Sequence, residues 1–236
     1  NIQKLTDNII VVDTASTDSS AQIAKDMGFT VYPYKYERYV EPSRNYAISK
    51  VDAEWFFIID ADERFSLELI QEIKETIAHT DKTHFTITKK NIFAGIWPLK
   101  HGGWAGDSMI RLIKTSAFKN WPSAIHSTPE ITGELGHLRA LLDHHFHPGL
   151  SNMVEKTALY EDMESNLLFQ AGRQVSVPIF FRKFFGELYR RLIKWRGFLD
   201  GTPGIIESVY QAYSKTVTYL YLYEKQHIKP KKSTSL

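Results

Sequence analysis

The stretch Trp55-Phe56-Phe57-Ile58-Ile59-Asp60-Ala61-Asp62-Glu63 constrains this chain more than any other. A run of bulky apolar side chains ends abruptly in three carboxylates. So short and bulky a run suits a strand buried on both faces, as in a parallel sheet covered by helices. The carboxylates then fall at the strand's carboxyl end, where open α/β sheets bind ligands. Asp60 and Asp62 are two apart and on a regular strand point the same way. So placed, they can hold one divalent cation, or bridge a metal and a sugar hydroxyl. The other reading is an acidic N-cap for a helix beginning after Phe65, since carboxylates favour helix starts. Capping accounts for one Asp and leaves the rest of the D-x-D-E cluster unexplained.

Segments on either side extend the pattern. Asn8 to Asp13 reads as a strand, Thr14 to Ser20 as a turn rich in N-cap residues, and Ala21 to Met27 as a helix ended by Gly28. Phe29 to Tyr34 is a second strand, and Glu41 opens a helix with Pro42 in its first turn. Trp55 to Ile59 and Leu67 to Ala78 repeat the alternation. It predicts an α/β fold with a mostly parallel central sheet. His84 to Lys90 alternates with a period of two and reads as a half-exposed strand. A loop with paired glycines, Ile96 to Trp104, precedes a short strand at Met109 to Ile113. Residues 1–150 are therefore expected to form the catalytic domain, 151–228 a helical region and 229–236 a flexible tail.

Composition excludes some chemistry. The chain has no cysteine, so disulfides, thiolate-bound zinc and thiol catalysis are out. No apolar run approaches the ~20 residues of a membrane span. The chain opens Asn1-Ile2-Gln3 and enters a strand almost at once, so an upstream segment is expected to be missing. Charge is uneven: residues 1–174 carry 18 Lys/Arg against 23 Asp/Glu, and residues 175–236 carry 11 against 4. Within the basic part, Phe180, Phe181, Phe184, Phe185, Leu188, Leu192 and Trp195 recur at helical intervals among Arg182, Lys183, Arg190, Arg191, Lys194 and Arg196. An aromatic face interleaved with cations fits a helix lying in an anionic membrane interface, or a packed helix with a solvated basic face. Val154, Ala158, Met163, Leu167 and Leu168 are expected to share a face of the preceding helix.

Three motifs, Val11-Val12-Asp13-Thr14-Ala15-Ser16-Thr17-Asp18, Ser43-Arg44-Asn45-Tyr46-Ala47 and Ile59-Asp60-Ala61-Asp62-Glu63, occur in order at spacings that resemble the family 2 glycosyltransferases of GT-A fold. His101-Gly102-Gly103-Trp104, Arg111-Leu112 and Arg196-Gly197-Phe198-Leu199-Asp200-Gly201 are similar to the lipopolysaccharide-core β-1,4-glucosyltransferase-like branch. The resemblance covers nearly the whole chain. It implies an inverting, metal-dependent transferase that moves a sugar from a nucleotide-sugar donor, a UDP-sugar foremost, to a glycan or lipid-linked acceptor of the cell surface. No nucleic acid is implied as a partner. The expected location is cytoplasmic, peripheral at the inner face of the cytoplasmic membrane.

The residues supply chemistry of that kind. Asp13, at a strand end, can accept hydrogen bonds from ribose hydroxyls or a base. Ser16, Thr17 and Asp18 begin a helix whose free N–H groups suit polar ligand atoms, and plain capping is the other role of Ser16 and Asp18. Arg44 can contact a diphosphate or form a surface ion pair, and Asn45 can orient the loop. A cation between Asp62 and two phosphates would neutralise the leaving diphosphate, and oxygen ligands suit Mg²⁺ or Mn²⁺. The resemblance makes Asp62 the principal metal ligand and places Asp60 on the donor. Inversion also needs a carboxylate base for the acceptor hydroxyl. That branch commonly has a His-Glu pair, but here Ile125-His126-Ser127 puts Ser127 at the usual Glu. Glu130 and Asp107 are the candidates to replace it. Gly103 and Trp104 are candidates for the acceptor, with Trp104 as ordinary core the alternative.

Asp143-His144-His145-Phe146-His147 has metal-ligand residue types, and on one strand Asp143, His145 and His147 would share a face. That cluster raises a metal-dependent phosphohydrolase as an alternative. Ser127 raises another, a non-catalytic sugar- or partner-binding module.

Overall fold

The computed structural model describes residues 1–125, 127–147 and 149–227, apart from the Leu150 side chain. His126 and the expected tail at 229–236 lie outside the described residues. The chain forms two compact units: Asn1–Lys89 with Asp107–His144, and Lys90–Gly106 with His145 onward. This division groups residues 90–106 with the segment from His145 onward.

In the first unit, strand β1 (Ile10–Asp13), helix α1 (Ser20–Asp26) and strand β2 (Thr30–Pro33) make a parallel βαβ step. Helix α2 (Glu41–Ile48) carries Pro42 in its first turn, where the missing N–H costs nothing. Strand β3 (Trp55–Phe57) is shorter than the five residues expected, and strand β4 (Glu63–Phe65) follows it. Helix α3 (Leu67–His79) is capped by Ser66, whose Oγ accepts from the Leu69 N–H at 3.1 Å. Asp60 and Asp62 therefore open no helix, because β4, which begins at Glu63, stands between them and it. Leu69, Ile70 and Ile73 of α3 pack on Phe65, Phe85, Ile87, Leu112, Leu138 and Leu142. A second apolar cluster joins Ile48, Phe56, Ile113 and Trp121.

The remaining strands are β5 (His84–Phe93), β6 (Trp97–Pro98), β7 (Ser108–Lys114), β8 (Phe118–Asn120), β9 (Glu130–Ile131), β10 (Leu135–His137) and β11 (Leu142–His144). The main sheet runs β3-β7-β5-β11-β4, with β10 and β6 also on β5. The α/β class with C-terminal helices holds. Strand direction departs from the mostly parallel sheet expected: β3–β7, β5–β7, β5–β6 and β4–β11 are antiparallel, while β1–β2 and β5–β10 are parallel. After α3 no further α-helix occurs among the described residues until β11 is complete, and parallel neighbours need a long crossover. β5 is also longer and more buried than its alternation predicts, since only Lys90 within it is exposed.

In the second unit, helix α4 (Leu150–Gln170), helix α5 (Val177–Leu188), a π-helical turn at Tyr189–Lys194 and helix α6 (Gly201–His227) follow one another. Phe93, Leu99, Phe146 and Met153 form its apolar core. Of the α4 residues expected to share a face, Met163 is buried, while Val154 is 52% and Leu167 44% exposed. Polar groups tie α4 to α6. Thr157 bonds the Tyr210 hydroxyl at 2.7 Å, Glu161 accepts from Ser214 and Thr218, and Lys225 donates to Asp162 and Ser165. Apolar periodicity cannot reveal a face whose contacts are hydrogen bonds.

Glu207 on α6 is buried, and its Oε2 has no hydrogen-bond partner among the described residues. Burial pushes its carboxyl up to about 7, against a hydrogen bond from Gln211. A carboxyl raised this way stabilises the fold while protonated, and the contribution disappears as pH rises from its unfolded value through about 7. Glu207→Gln should therefore exceed wild type in stability above neutral pH by up to about 3 kcal/mol, and match it near pH 4. Urea unfolding at the two pH values measures the difference.

Candidate active site

The acidic segment is a clamped loop. β3 ends at Phe57, and the Glu63 N–H closes a turn on the Asp60 carbonyl at 3.0 Å. Glu63 returns the bond, its Oε2 accepting from the Asp60 N–H at 2.8 Å. Arg64 Nη1 donates to the Ala61 and Glu63 carbonyls. Residues 60–62 are thus in a turn, and Asp60 and Asp62 have different neighbours. Asp60 Oδ2 accepts from Arg111 Nη2 at 2.7 Å, while Asp62 Oδ2 lies 3.7 Å from His144 Nε2. The strand that would have aimed them together stops too early.

Arg111 reaches the loop because its backbone carbonyl accepts from the Ile58 N–H, setting β7 in register with the end of β3. It is 1% exposed and its Nη2 also donates to Glu63 Oε1 at 2.6 Å. Lys89 Nζ reaches the same Glu63 oxygen at 2.8 Å. Two cations and two carboxylates thus share the space beneath the loop. Burial alone would raise the Asp60 carboxyl; Arg111, with Arg44 and Lys89, more than reverses this and holds it below the usual carboxylate range. Burial likewise lowers Arg111, and its two carboxylate partners lift it above the ordinary guanidinium value.

Arg44 adjoins the same group. Its guanidinium lies 3.8 Å from Asp60 Oδ1 and over the Trp121 ring at 4.4 Å. Asn45 fixes the Trp121 backbone, accepting from its N–H at 2.8 Å and donating to its carbonyl. A cleft of ≈540 Å³ contains Arg44, Asp60, Ser43 and Thr14, with apolar side chains of β1, β3 and α2 making up much of its wall. Asp13 Oδ1 accepts from the Ser16 N–H, and Asp18 Oδ1 from the Ser20 N–H at the start of α1. Those Ser20 hydrogen bonds lower the Asp18 carboxyl. Both carboxylates shape the turn between β1 and α1.

The two carboxylates considered as base differ in setting. Asp107 accepts a backbone bond from Lys89 at 2.8 Å and lies one residue before β7, opposite Lys89. Directly opposed residues project to one side of an antiparallel pair, so Asp107 belongs to the sheet face that carries Lys89 and Arg111. Glu130 is exposed on β9, paired with Asn120 of β8 in a separate two-stranded ladder. Ser127 is occupied locally: its hydroxyl donates to the Pro122 carbonyl and its carbonyl accepts from Trp121 Nε1.

His144 and Glu63 are register partners in the β4–β11 ladder, which brings the imidazole beside Asp62. β11 ends at His144, so Asp143, His145 and His147 do not alternate along one strand. Among the described residues no three His, Cys, Asp or Glu side chains converge as a metal-ligand group. Asp62 and His144 nevertheless fit a two-donor site. Mg²⁺ is commonly bound through one or two protein carboxylates together with substrate phosphates, and an imidazole suits Mn²⁺ as well.

In the second unit, the paired-glycine loop and the segment at 196–201 hold each other. Asp200 accepts from the Lys100 and His101 N–H groups and from His101 Nδ1 at 2.6 Å. The Gly102 N–H donates to the Trp195 carbonyl and its carbonyl accepts from Arg191. A Cβ on Gly103 would lie 2.6 Å from the Trp195 ring, and one on Gly204 would lie 2.1 Å from the Gly197 carbonyl oxygen. These glycines admit neighbouring protein. Trp104 stacks on Phe146 with centroids 4.4 Å apart, and its buried Nε1 has no partner among the described residues. Motifs far apart in sequence are thus two halves of one contact. Arg111 was visible as a motif member, but nothing in the sequence reveals Lys89 and Glu63 as its partners.

The sequence pattern described as Glycosyl transferase family 2 matches residues 1–133. An uncharacterised glycosyltransferase of Rickettsia prowazekii is 24% identical over 234 residues, covering 91% of this chain and 77% of its own. The lipopolysaccharide core biosynthesis glycosyltransferase LpsC of Rhizobium meliloti is 23% identical over 239 residues, covering 94% and 84%. Among solved structures, S. aureus TarS in complex with UDP-GlcNAc aligns over 93% of this chain and 82% of its own, with 13% identity and a TM-score of 0.46.

Removing Arg111 leaves Glu63 buried with Lys89 alone and releases Asp60. Arg111→Met should lower unfolding free energy by about 3–5 kcal/mol, as for other broken buried pairs. Urea denaturation at neutral pH checks this, and an unchanged midpoint would deny the cluster its structural role.

Proposed function

The chain belongs to glycosyl transferase family 2, and from that premise we propose an inverting, divalent-cation-dependent transfer of a sugar from a UDP-sugar to a hydroxyl of lipopolysaccharide core or a related cell-surface glycan. The observation that carries this reading is the clamped loop: Asp60 and Glu63 are fixed from below by Arg111, and Asp62 is presented beside His144. The similarity to LpsC supports a lipopolysaccharide-type acceptor.

Asp62 and His144 would hold Mg²⁺ or Mn²⁺ against the donor's diphosphate. When bound, the cation offsets the charge that builds on the leaving nucleoside diphosphate. Arg44 adds a positive charge at the cleft containing Asp60, suited to a diphosphate oxygen. Asp60, kept ionised by its cations, can accept a hydrogen bond from a sugar or ribose hydroxyl. Asp13 and the turn it shapes would contact the nucleoside. Asp107 is preferred over Glu130 as the group that takes the acceptor's proton, because it belongs to the sheet face of Lys89 and Arg111. Three features weigh against the phosphohydrolase and binding-module readings: membership in a transferase family, β11 ending at His144, and the two carboxylates still available to replace a base at Ser127.

Two experiments test the site. Calorimetric titration with UDP should show binding strengthened by Mn²⁺, and Asp62→Asn should reduce that metal-dependent part by about tenfold or more, the scale on which even supporting groups of metal sites act. Equal binding by both proteins, with and without Mn²⁺, would remove Asp62 from the metal site. With a donor in hand, Asp107→Asn should lower kcat by about 10²–10⁴-fold and leave UDP affinity unchanged, while Glu130→Gln stays near wild type. The reverse pattern would transfer the role to Glu130.

A further inference from the structure

Helix α5 has two apolar sides, and only one is accounted for by packing. It lies along α6, with Phe180, Phe184, Leu188 and Leu192 half-buried. The other side carries Phe181, Phe185, Tyr189 and Ile193 at steps of four residues, 62%, 58%, 61% and 50% exposed. Trp195, Phe198 and Leu199 continue the exposed surface through the following turn. The Phe181 and Phe185 rings lie nearly parallel, 11° apart with centroids 6.4 Å apart, so the two form one aromatic pair on this side of the helix. An ordinary packed helix with a solvated basic face would hide these rings.

The cations around this surface are of two kinds. Arg190 and Arg191 are tied to Glu187, and Arg191 also to Gly102. Arg182, Lys194 and Arg196 are exposed and make no ion pair among the described residues. From residue 175 onward the chain carries 11 Lys/Arg against 4 Asp/Glu. No helix among the described residues is long and apolar enough to cross a membrane. Exposed aromatic rings rimmed by unpaired cations are the chemistry of a surface that enters the headgroup layer of an anionic bilayer.

We propose that the outer face of α5 and the turn after it is a membrane-contact surface for anionic lipid headgroups, with Phe181, Phe185, Tyr189 and Ile193 entering the interface and Arg182, Lys194 and Arg196 meeting the phosphates. The surface is independent of the donor-site reading above. An apolar face alone would equally suit a second copy of the chain. The unpaired cations favour lipid, because two copies meeting through the same patch would bring like charges together.

Vesicle co-sedimentation of the full chain tests this, using phosphatidylcholine alone and phosphatidylcholine with phosphatidylglycerol. Binding should require the anionic lipid and weaken with salt. R182E/K194E should weaken it by at least about fivefold per position, and F181S/F185S/Y189S should abolish it while UDP binding persists. A separate readout uses the wild type: brominated anionic lipid should quench its tryptophan fluorescence, and less so in W195F. Indifference to lipid charge, binding unaffected by both variants, or no quenching would overturn the proposal. So would a wild-type dimer in sedimentation velocity that the serine variant dissolves without any vesicle binding.

Discussion

Everything near the acidic loop depends on a buried charge cluster. Arg111, Lys89 and Glu63 are each nearly or fully removed from solvent, and Asp60 joins them from the edge. Taking such charges out of water is costly, and the cost is recovered only where geometry and hydrogen bonding are good. Here Glu63 meets both conditions, with one oxygen on two cations and the other on a backbone N–H. The result is a loop whose backbone is fixed at both ends. A site that must accept a diphosphate benefits from this arrangement, because the loop need not be ordered when the ligand arrives.

The cluster also explains how a short strand can end in a defined place. Apolar character runs to Ile59, but the regular strand β3 ends at Phe57, with one last bond from the Ile58 N–H to Arg111. The turn from Asp60 to Glu63 requires backbone bonds that a continued strand would consume. Beyond the turn, β4 pairs with β11, and that ladder delivers His144 to Asp62. Two side chains 82 positions apart are therefore neighbours because of one turn and one antiparallel register.

Much of the fold was legible locally. Capping residues, Pro42 and the apolar runs located the first three strands and helices within a residue or two, because each signal acts within its own element. Sheet direction was not, since it follows from the connections after α3 rather than from any strand's composition. The carboxylates at 60–63 were conspicuous as a motif. Their partners were not, because Lys89 and Arg111 come from other strands and look like ordinary charged residues in a line of text. The paired-glycine loop invited a ligand-binding reading, and the structure shows Trp195 and Gly197 against it. Helix α4 misled for a simpler reason: beside Met153 and Met163, its contacts with α6 are made by Thr157, Glu161 and Ser165, which no apolar period counts.

The α4–α6 contact deserves to be read as an alignment device. Greasy helix faces tolerate sliding, because one methyl group substitutes for another. Here Thr157 matches Tyr210, Glu161 matches Ser214 and Thr218, and Lys225 matches Asp162 and Ser165. A slip of one helical turn, about 5.4 Å, would unmatch these groups, among them the buried Thr157, Ser165, Ser214 and Thr218, which water would not readily satisfy. The pair therefore has one admissible register, fixed along about two turns of α4 and about four of α6. Leucines in these positions would hold the helices together as well, and would no longer say where along each other they belong.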